Sequence, residues 1–157
     1  MSATFEQLAD TENAVLACLL NAPAKDITAA DKLLPPFTNP ALEWARQALA
    51  AAVDQDAPLW PVSIVAAANR AGLTTPPGLR QTPAAWLSEM MSTAPPPVML
   101  WGLVAELEDA ALRCRIADFG LSVAESAQRG DIADQVAKLE RSAELIQRCR
   151  ERIADAG

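Results

Sequence analysis

Apolar residues recur at spacings of three and four through most of the chain, and no segment alternates apolar and polar residues for long. The first pattern buries one face of a helix, whereas strict alternation would mark a strand. The pattern therefore predicts an all-α fold. Asp10-Thr11 is an N-cap signal for a helix to about Leu20, with Val15, Cys18 and Leu19 on one face and Ala14 beside them. Asn21-Ala22-Pro23 stops it, and a short turn or helix is expected around Thr28–Leu34 before Pro35-Pro36. Asn39-Pro40 joins a cap to a proline at the first helical position and opens a helix to about Asp54. Its stripe is Leu42, Ala45, Leu49 and Val53, flanked by Trp44 and Ala48. Another helix is predicted over Pro61–Ala71 (Val62, Ile64, Val65, Ala68), closing at Gly72, and Thr82-Pro83 starts one over Ala84–Met91. The first ten residues lack periodicity and read as a flexible arm.

After Pro95-Pro96-Pro97 the pattern changes. Leu100, Leu103, Leu107, Ala110, Cys114, Ala117, Leu121 and Ala124 recur at helical spacing from Val98 to about Gln128, roughly 30 residues or ~45 Å of helix. Gly120 lies inside it at a cost of about 1 kcal/mol relative to Ala. Arg129-Gly130-Asp131 ends this helix and caps a second from Ile132 to about Ala154, carrying Val136, Leu139, Ala143, Ile146 and Ile153. Two long helices joined by a tight turn form an antiparallel hairpin. The expected organisation is an arm over 1–10, a globular bundle of short helices over 11–97 and a hairpin over 98–157. So long a stripe needs a cover beyond the hairpin's own partner helix, either the globular half or a second copy of the chain.

Composition narrows the chemistry. Of 157 residues, 51% are hydrophobic and 21% charged, which places the chain in the globular class. All 12 prolines fall between Pro23 and Pro97. No apolar run reaches the roughly 18–20 residues of a membrane span, and no secretory pattern opens the chain, so a cytoplasmic protein without a membrane partner is expected. There is no histidine, the commonest general base and metal ligand, and no tyrosine. Cys18, Cys114 and Cys149 are far apart and odd in number, which fits reduced, buried thiols. Neither a cofactor nor a metal is expected. Glu106, Glu108 and Asp109 read as a solvated acidic face, and the four tryptophans, Trp44, Trp60, Trp86 and Trp101, as core or helix-packing residues.

The formal charge of −7 is uneven: residues 1–110 hold 12 acidic and 5 basic side chains, and residues 111–157 hold 8 of each. An acidic body opposes phosphate backbones, so little direct nucleic-acid binding is expected. Arg113 with Arg115, and Arg148, Arg150 and Arg152, are the basic clusters, and they read as solvated arginines. No glycine is followed by lysine, so there is no P-loop, and no GxGxxG, HExxH, GxSxG or EF-hand pattern occurs. Ser63, Ser88 and Ser92 have no histidine to activate them. Nothing in the sequence looks like an enzyme.

Four stretches, in order, carry a resemblance. Glu12-Asn13-Ala14-Val15-Leu16-Ala17-Cys18-Leu19-Leu20 resembles the opening E-x-A-V-L-G-x-L-L helix of the N-terminal domain of bacterial DnaB-type replicative helicases. Phe37-Thr38-Asn39-Pro40-Ala41 is similar to that family's F-x-x-P-x-H segment, with Leu42 where histidine is usual. Ala57-Pro58 followed by Pro61-Val62-Ser63-Ile64-Val65 is similar to its P-[IV]-D-x-x-[TS]-[VL] helix, with Trp60 in place of the usual acidic residue. Ala111-Leu112-Arg113 resembles the A-L-R-R stretch that opens its hairpin. The resemblance spans about residues 10–150 and implies a helical globule followed by a hairpin that pairs between subunits, in a dimer or a ring collar that docks primase or a loader. The primase helicase-binding domain has a similar shape. These 157 residues leave no room for the RecA-type motor, so either a separated collar domain or a stand-alone relative is expected.

The function expected is a non-enzymatic interaction module of DNA replication that self-associates through the hairpin as a homodimer or higher ring and binds a helicase, primase or helicase loader. Self-association is expected at Leu100, Leu103, Leu107, Leu121, Val136, Leu139 and Ile146. The alternatives are a small helical DNA-binding regulator, opposed by the charge, and a small helical enzyme or ligand carrier, opposed by the missing histidines and motifs.

Overall fold

The computed structural model describes the backbone of residues 3–129 and 132–155, and the side chains of 6–129 and of 133–147 apart from 135, 145 and 146. Among the described residues there are seven α-helices, one 3-10 turn and no strand: α1 (Ala3–Leu19), α2 (Ala24–Asp31), α3 (Pro40–Asp54), α4 (Pro61–Arg70), α5 (Pro83–Ser92), the 3-10 turn Pro97–Met99, α6 (Leu100–Arg129) and α7 (Ile132–Asp155). The chain divides into two compact units, Met1–Ala110 and Ala111–Gly157.

The helix starts follow local chemistry. The Asn39 Oδ1 accepts the Ala41 N–H at 2.9 Å, and Pro40 holds the first helical position of α3. Thr82 and Pro83 do the same for α5, with a longer 3.4 Å bond from the Ala85 N–H to the Thr82 Oγ1. The stops are equally local. Gly72, at φ 73°, closes α4, with the Leu73 N–H on the Ala68 carbonyl and the Gly72 N–H on the Asn69 carbonyl. The end of α3 uses the same pair of bonds, from Ala57 to Ala52 and from Asp56 to Val53, but places Asp56 rather than glycine in the left-handed region at φ 49°.

In the first unit α3 packs on α1, α2 and α4, and α5 packs on α4 and α1. From Val15 to Leu19 α1 is buried all round, as expected of a central helix, and Leu20 just after it is buried too. The buried stripe of α3 is Leu42, Ala45, Leu49 and Ala52, with Trp44 and Ala48 also covered, while Val53 is half-buried. One carboxylate is sealed into this packing. Glu12 is buried and accepts the Thr38 N–H at 2.7 Å and the Thr38 hydroxyl at 2.9 Å. It thereby satisfies the loop that delivers Asn39 and Pro40 to the start of α3. A second carboxylate, Glu43, accepts the Phe37 N–H at 2.9 Å, the Arg46 guanidinium at 2.7 and 2.9 Å and the Gln47 amide at 2.7 Å; Arg46 also pairs with Asp31 of α2.

The structure departs from the sequence reading at both ends of the globule. Residues from Ala3 are helical rather than an arm, and Leu8 is buried, because Leu8, Glu12, Val15 and Leu19 line one face across the expected start at Asp10-Thr11. Met1 and Ser2 lie outside the described residues. The boundary between units falls after Ala110 and not at residue 97. The first turns of α6 carry Leu100, Val104, Leu107 and Ala110, all buried, so they complete the globule's core.

Candidate functional site

The second unit begins at Ala111 and contains the rest of α6 and the whole of α7. Its two helices are tied near their connection by a small polar cluster. The Ser126 hydroxyl is buried, accepts from the Lys138 ammonium at 2.8 Å and donates to Asp134 at 3.4 Å, while Lys138 and Asp134 pair at 2.6 Å. The hydrogen bond and charge of Lys138, with the Ser126 hydroxyl, hold the Asp134 carboxyl below its ordinary range. A buried hydroxyl satisfied from the opposite helix fixes which turns face each other.

Away from this cluster the unit leaves apolar side chains in solvent. Ile116 is 51% exposed, Leu121 64%, Val136 49% and Leu139 51%. They fall in rows: Ile116 and Gly120, with Ala117, Leu121 and Ala124, on α6, and Val136, Leu139 and Ala143 on α7, with each row reaching solvent. A helix buries an apolar stripe against whatever covers it, and here the rows at Ile116 and Leu121 on α6 and at Val136 and Leu139 on α7 are uncovered. A Cβ at Gly120 would meet no atom within 4 Å, so nothing in the chain itself requires glycine there.

The residues expected to self-associate divide accordingly. Leu121, Val136 and Leu139 are exposed; Leu103 is half-buried; Leu100 and Leu107 are buried in the chain's own core. The side chain of Ile146 lies outside the described residues. An aspartate at Leu107 would therefore break the globule rather than separate one copy from another. Ile116 falls outside the expected set, although it stands four residues before Gly120 and one before Ala117 in the exposed row.

The remaining candidate chemistry is sparse. Cys18 is buried and its thiol, pushed up by burial, lies 3.5 Å from the Pro96 carbonyl; Cys114 is also buried, and the side chain of Cys149 lies outside the described residues. A shallow cleft of about 430 Å³ between α1 and the first turns of α6 is lined by Glu6, Asp10, Thr11, Leu103 and Glu106, among others. It gathers carboxylates beside the Thr11 hydroxyl, which donates to the Gln7 carbonyl at 2.7 Å. Among the described residues no group of three or more His, Cys, Asp or Glu side chains is placed to hold a metal ion. Of the tryptophans expected in the core, Trp44 is buried and Trp86 half-buried, but Trp60 and Trp101 are exposed. Both stand at a helix entry, where a side chain on the outer face escapes the packing that covers the helix middle. Arg113 and Arg115 are exposed, and the side chains of Arg148, Arg150 and Arg152 lie outside the described residues. Among the described residues no helix is long and apolar enough to cross a membrane.

A bundle of five short helices followed by two long ones is an arrangement seen before. The structure superposes on the crystal structure of the N-terminal domain of DnaB helicase from Mycobacterium tuberculosis with a TM-score of 0.63, at 23% sequence identity, over 94% of this chain and 95% of that one. The chain has the fold of a DnaB helicase N-terminal domain. No protein-family model matches the sequence, and no curated protein does. The shared fold gives the first two stretches that carry the sequence resemblance a physical meaning. Glu12 of the α1 motif holds Thr38 of the Phe37–Pro40 motif, so these motif residues are determinants of the globule.

Proposed function

We propose that this chain is a non-enzymatic interaction module of the DNA replication machinery, which self-associates through its hairpin and binds a replicative helicase, primase or helicase loader in the cytoplasm. The observation that carries the reading is the pair of uncovered apolar rows at Ile116, Leu121, Val136 and Leu139, on a fold shared end to end with a DnaB helicase N-terminal domain. Charge supports the same surface. Two copies meeting through residues 1–110 would oppose net charges of −7, whereas residues 111–157 are neutral and approach without that penalty. Two hairpins side by side would cover all four rows as a four-helix bundle. Gly120 would let the backbones come close.

The experiment is a binding titration of the purified chain against a purified DnaB-type helicase and a primase, with a double variant, Leu121→Asp with Val136→Asp, in parallel. Saturable binding of at least one of them, weakened about 100-fold or more in the double variant at unchanged helix content, is the expected result. No binding of either by the unaltered chain contradicts the partner assignment.

A further inference from the structure

We propose that the ridge formed by Pro58, Trp60 and Val62 docks a basic peptide segment of a partner protein, with an arginine or lysine lying over the indole of Trp60. This ridge lies in the first unit and does not depend on the hairpin's role. Trp60 is 71% exposed and Val62 72%, although the sequence reading counts Val62 among the apolar positions of α4. The backbone explains why. Trp60, extended at φ −93° and ψ 146°, precedes the first turn of α4, and Val62 lies on the face of α4 opposite buried Ile64: Pro58, Trp60 and Val62 are exposed, while Ala57, Leu59 and Pro61 are half-buried. The half-buried set fixes the segment to the globule, and the exposed set stands on a rigid base, with Leu59-Trp60 held between two prolines. Large, fixed aromatic surface in solvent is the kind of feature that anchors interfaces.

Charge selects the occupant. The chain carries no lysine or arginine from Gln47 to Asn69, while Asp54 and Asp56, both exposed, lead directly into the ridge. The next cation, Arg70, is held by its Nε–H at 2.7 Å from the Gln55 Oε1. An exposed indole face attracts a cation through its quadrupole, and two carboxylates within a few residues add to that attraction. The net −7 of residues 1–110 steers a basic segment towards the same unit and repels an acidic one. A nucleic acid is disfavoured for the same reason.

The test titrates the full chain, labelled with nitrogen-15, with a capped peptide of alternating leucine and arginine, and separately with one of alternating leucine and glutamate. The Trp60 indole N–H resonance, assigned by its loss in Trp60→Phe, is expected to shift with the arginine peptide and not with the glutamate peptide. Trp60→Ala should weaken binding at least about 10-fold. Asp54→Asn with Asp56→Asn should weaken it about 5-fold at low salt, with the difference shrinking as salt is added. Asparagine tolerates the left-handed backbone of Asp56, so this variant keeps its fold. Equal shifts with both peptides, or full affinity in Trp60→Ala, overturn the proposal. So does a change in the chain's own mass in solution on Trp60→Ala, which would make the ridge a contact between copies.

Discussion

The two units carry similar helices and treat apolar side chains differently. Up to Ala110 the stripes of α1, α3, α4 and α5 are covered, and even a carboxylate, Glu12, is buried with both oxygens occupied. From Ala111 on, four large apolar side chains are about half exposed or more, and the buried polar group is a serine that fixes register. In the first unit the large exposed apolar side chains, Leu33, Trp60, Val62, Val98, Met99 and Trp101, stand at or beside helix ends, whereas in the second Ile116, Leu121, Val136 and Leu139 stand along the helices. The same division separates a net charge of −7 from a neutral segment. The comparison teaches that periodicity alone does not say what a stripe is for: Leu107 and Leu121 sit in one helix and one apparent stripe, yet only Leu121 faces solvent.

The largest expected effect tests that pair directly. Leu107→Ala should lower the unfolding free energy by about 2–5 kcal/mol, because a fully buried leucine leaves a cavity. Leu121→Ala should change it by within about 0.5 kcal/mol when measured at dilution. Urea titrations followed by circular dichroism compare the two, and equal losses would erase the distinction between covered and uncovered stripe.

Next comes the buried carboxylate. Glu12→Ala leaves the Thr38 N–H without its acceptor and should cost about 1–3 kcal/mol, with loss of amide-exchange protection in α3 before α4. Exchange unchanged at the start of α3 would show that the Glu12 link does not set that helix's entry.

A smaller effect separates the units by pH. Burial pushes the Glu43 carboxyl up, but the hydrogen bonds from Arg46, the Phe37 N–H and Gln47 outweigh it and hold the group below its ordinary 4.5. A carboxyl depressed in the folded state stabilises fully above its unfolded pKa and loses that contribution as pH falls through the folded one. Lowering the pH below about 4.5 should therefore weaken the first unit, and Glu43→Gln should flatten that slope. Asp134 is shifted in the same direction but is 43% exposed, so Asp134→Asn should alter the slope less. The order of the two slopes, read from urea midpoints across pH, is the check.

Much of the fold was legible because its signals are local. Asn39-Pro40, Thr82-Pro83 and Gly72 act through the few atoms around them, and α3 begins and ends at the expected residues. The start of α1 was not, because Asp10-Thr11 reads as a cap although Leu8, on the same face as Glu12 and Val15, is already buried before it. The site was legible to a lesser extent. Helical spacing marks Leu121, Val136 and Leu139 as apolar positions, but whether a stripe is covered depends on which neighbours reach it, and that moved Leu100 and Leu107 into the core. Trp60 shows the converse, a residue type that sequence assigns to packing and an extended backbone turns outward.

The central claim is that the hairpin is an association surface while the globule covers the helix stripes of its own core. Light scattering during size-exclusion chromatography, on the unaltered chain and on Leu121→Asp with Leu139→Asp, tests it most directly. The account predicts a species of twice the 16.7 kDa chain mass at tens of micromolar, about the range of a modest interface, and a monomer of unchanged helix content for the variant. A monomer for the unaltered chain at that concentration, or a dimer that survives both aspartates, would contradict it.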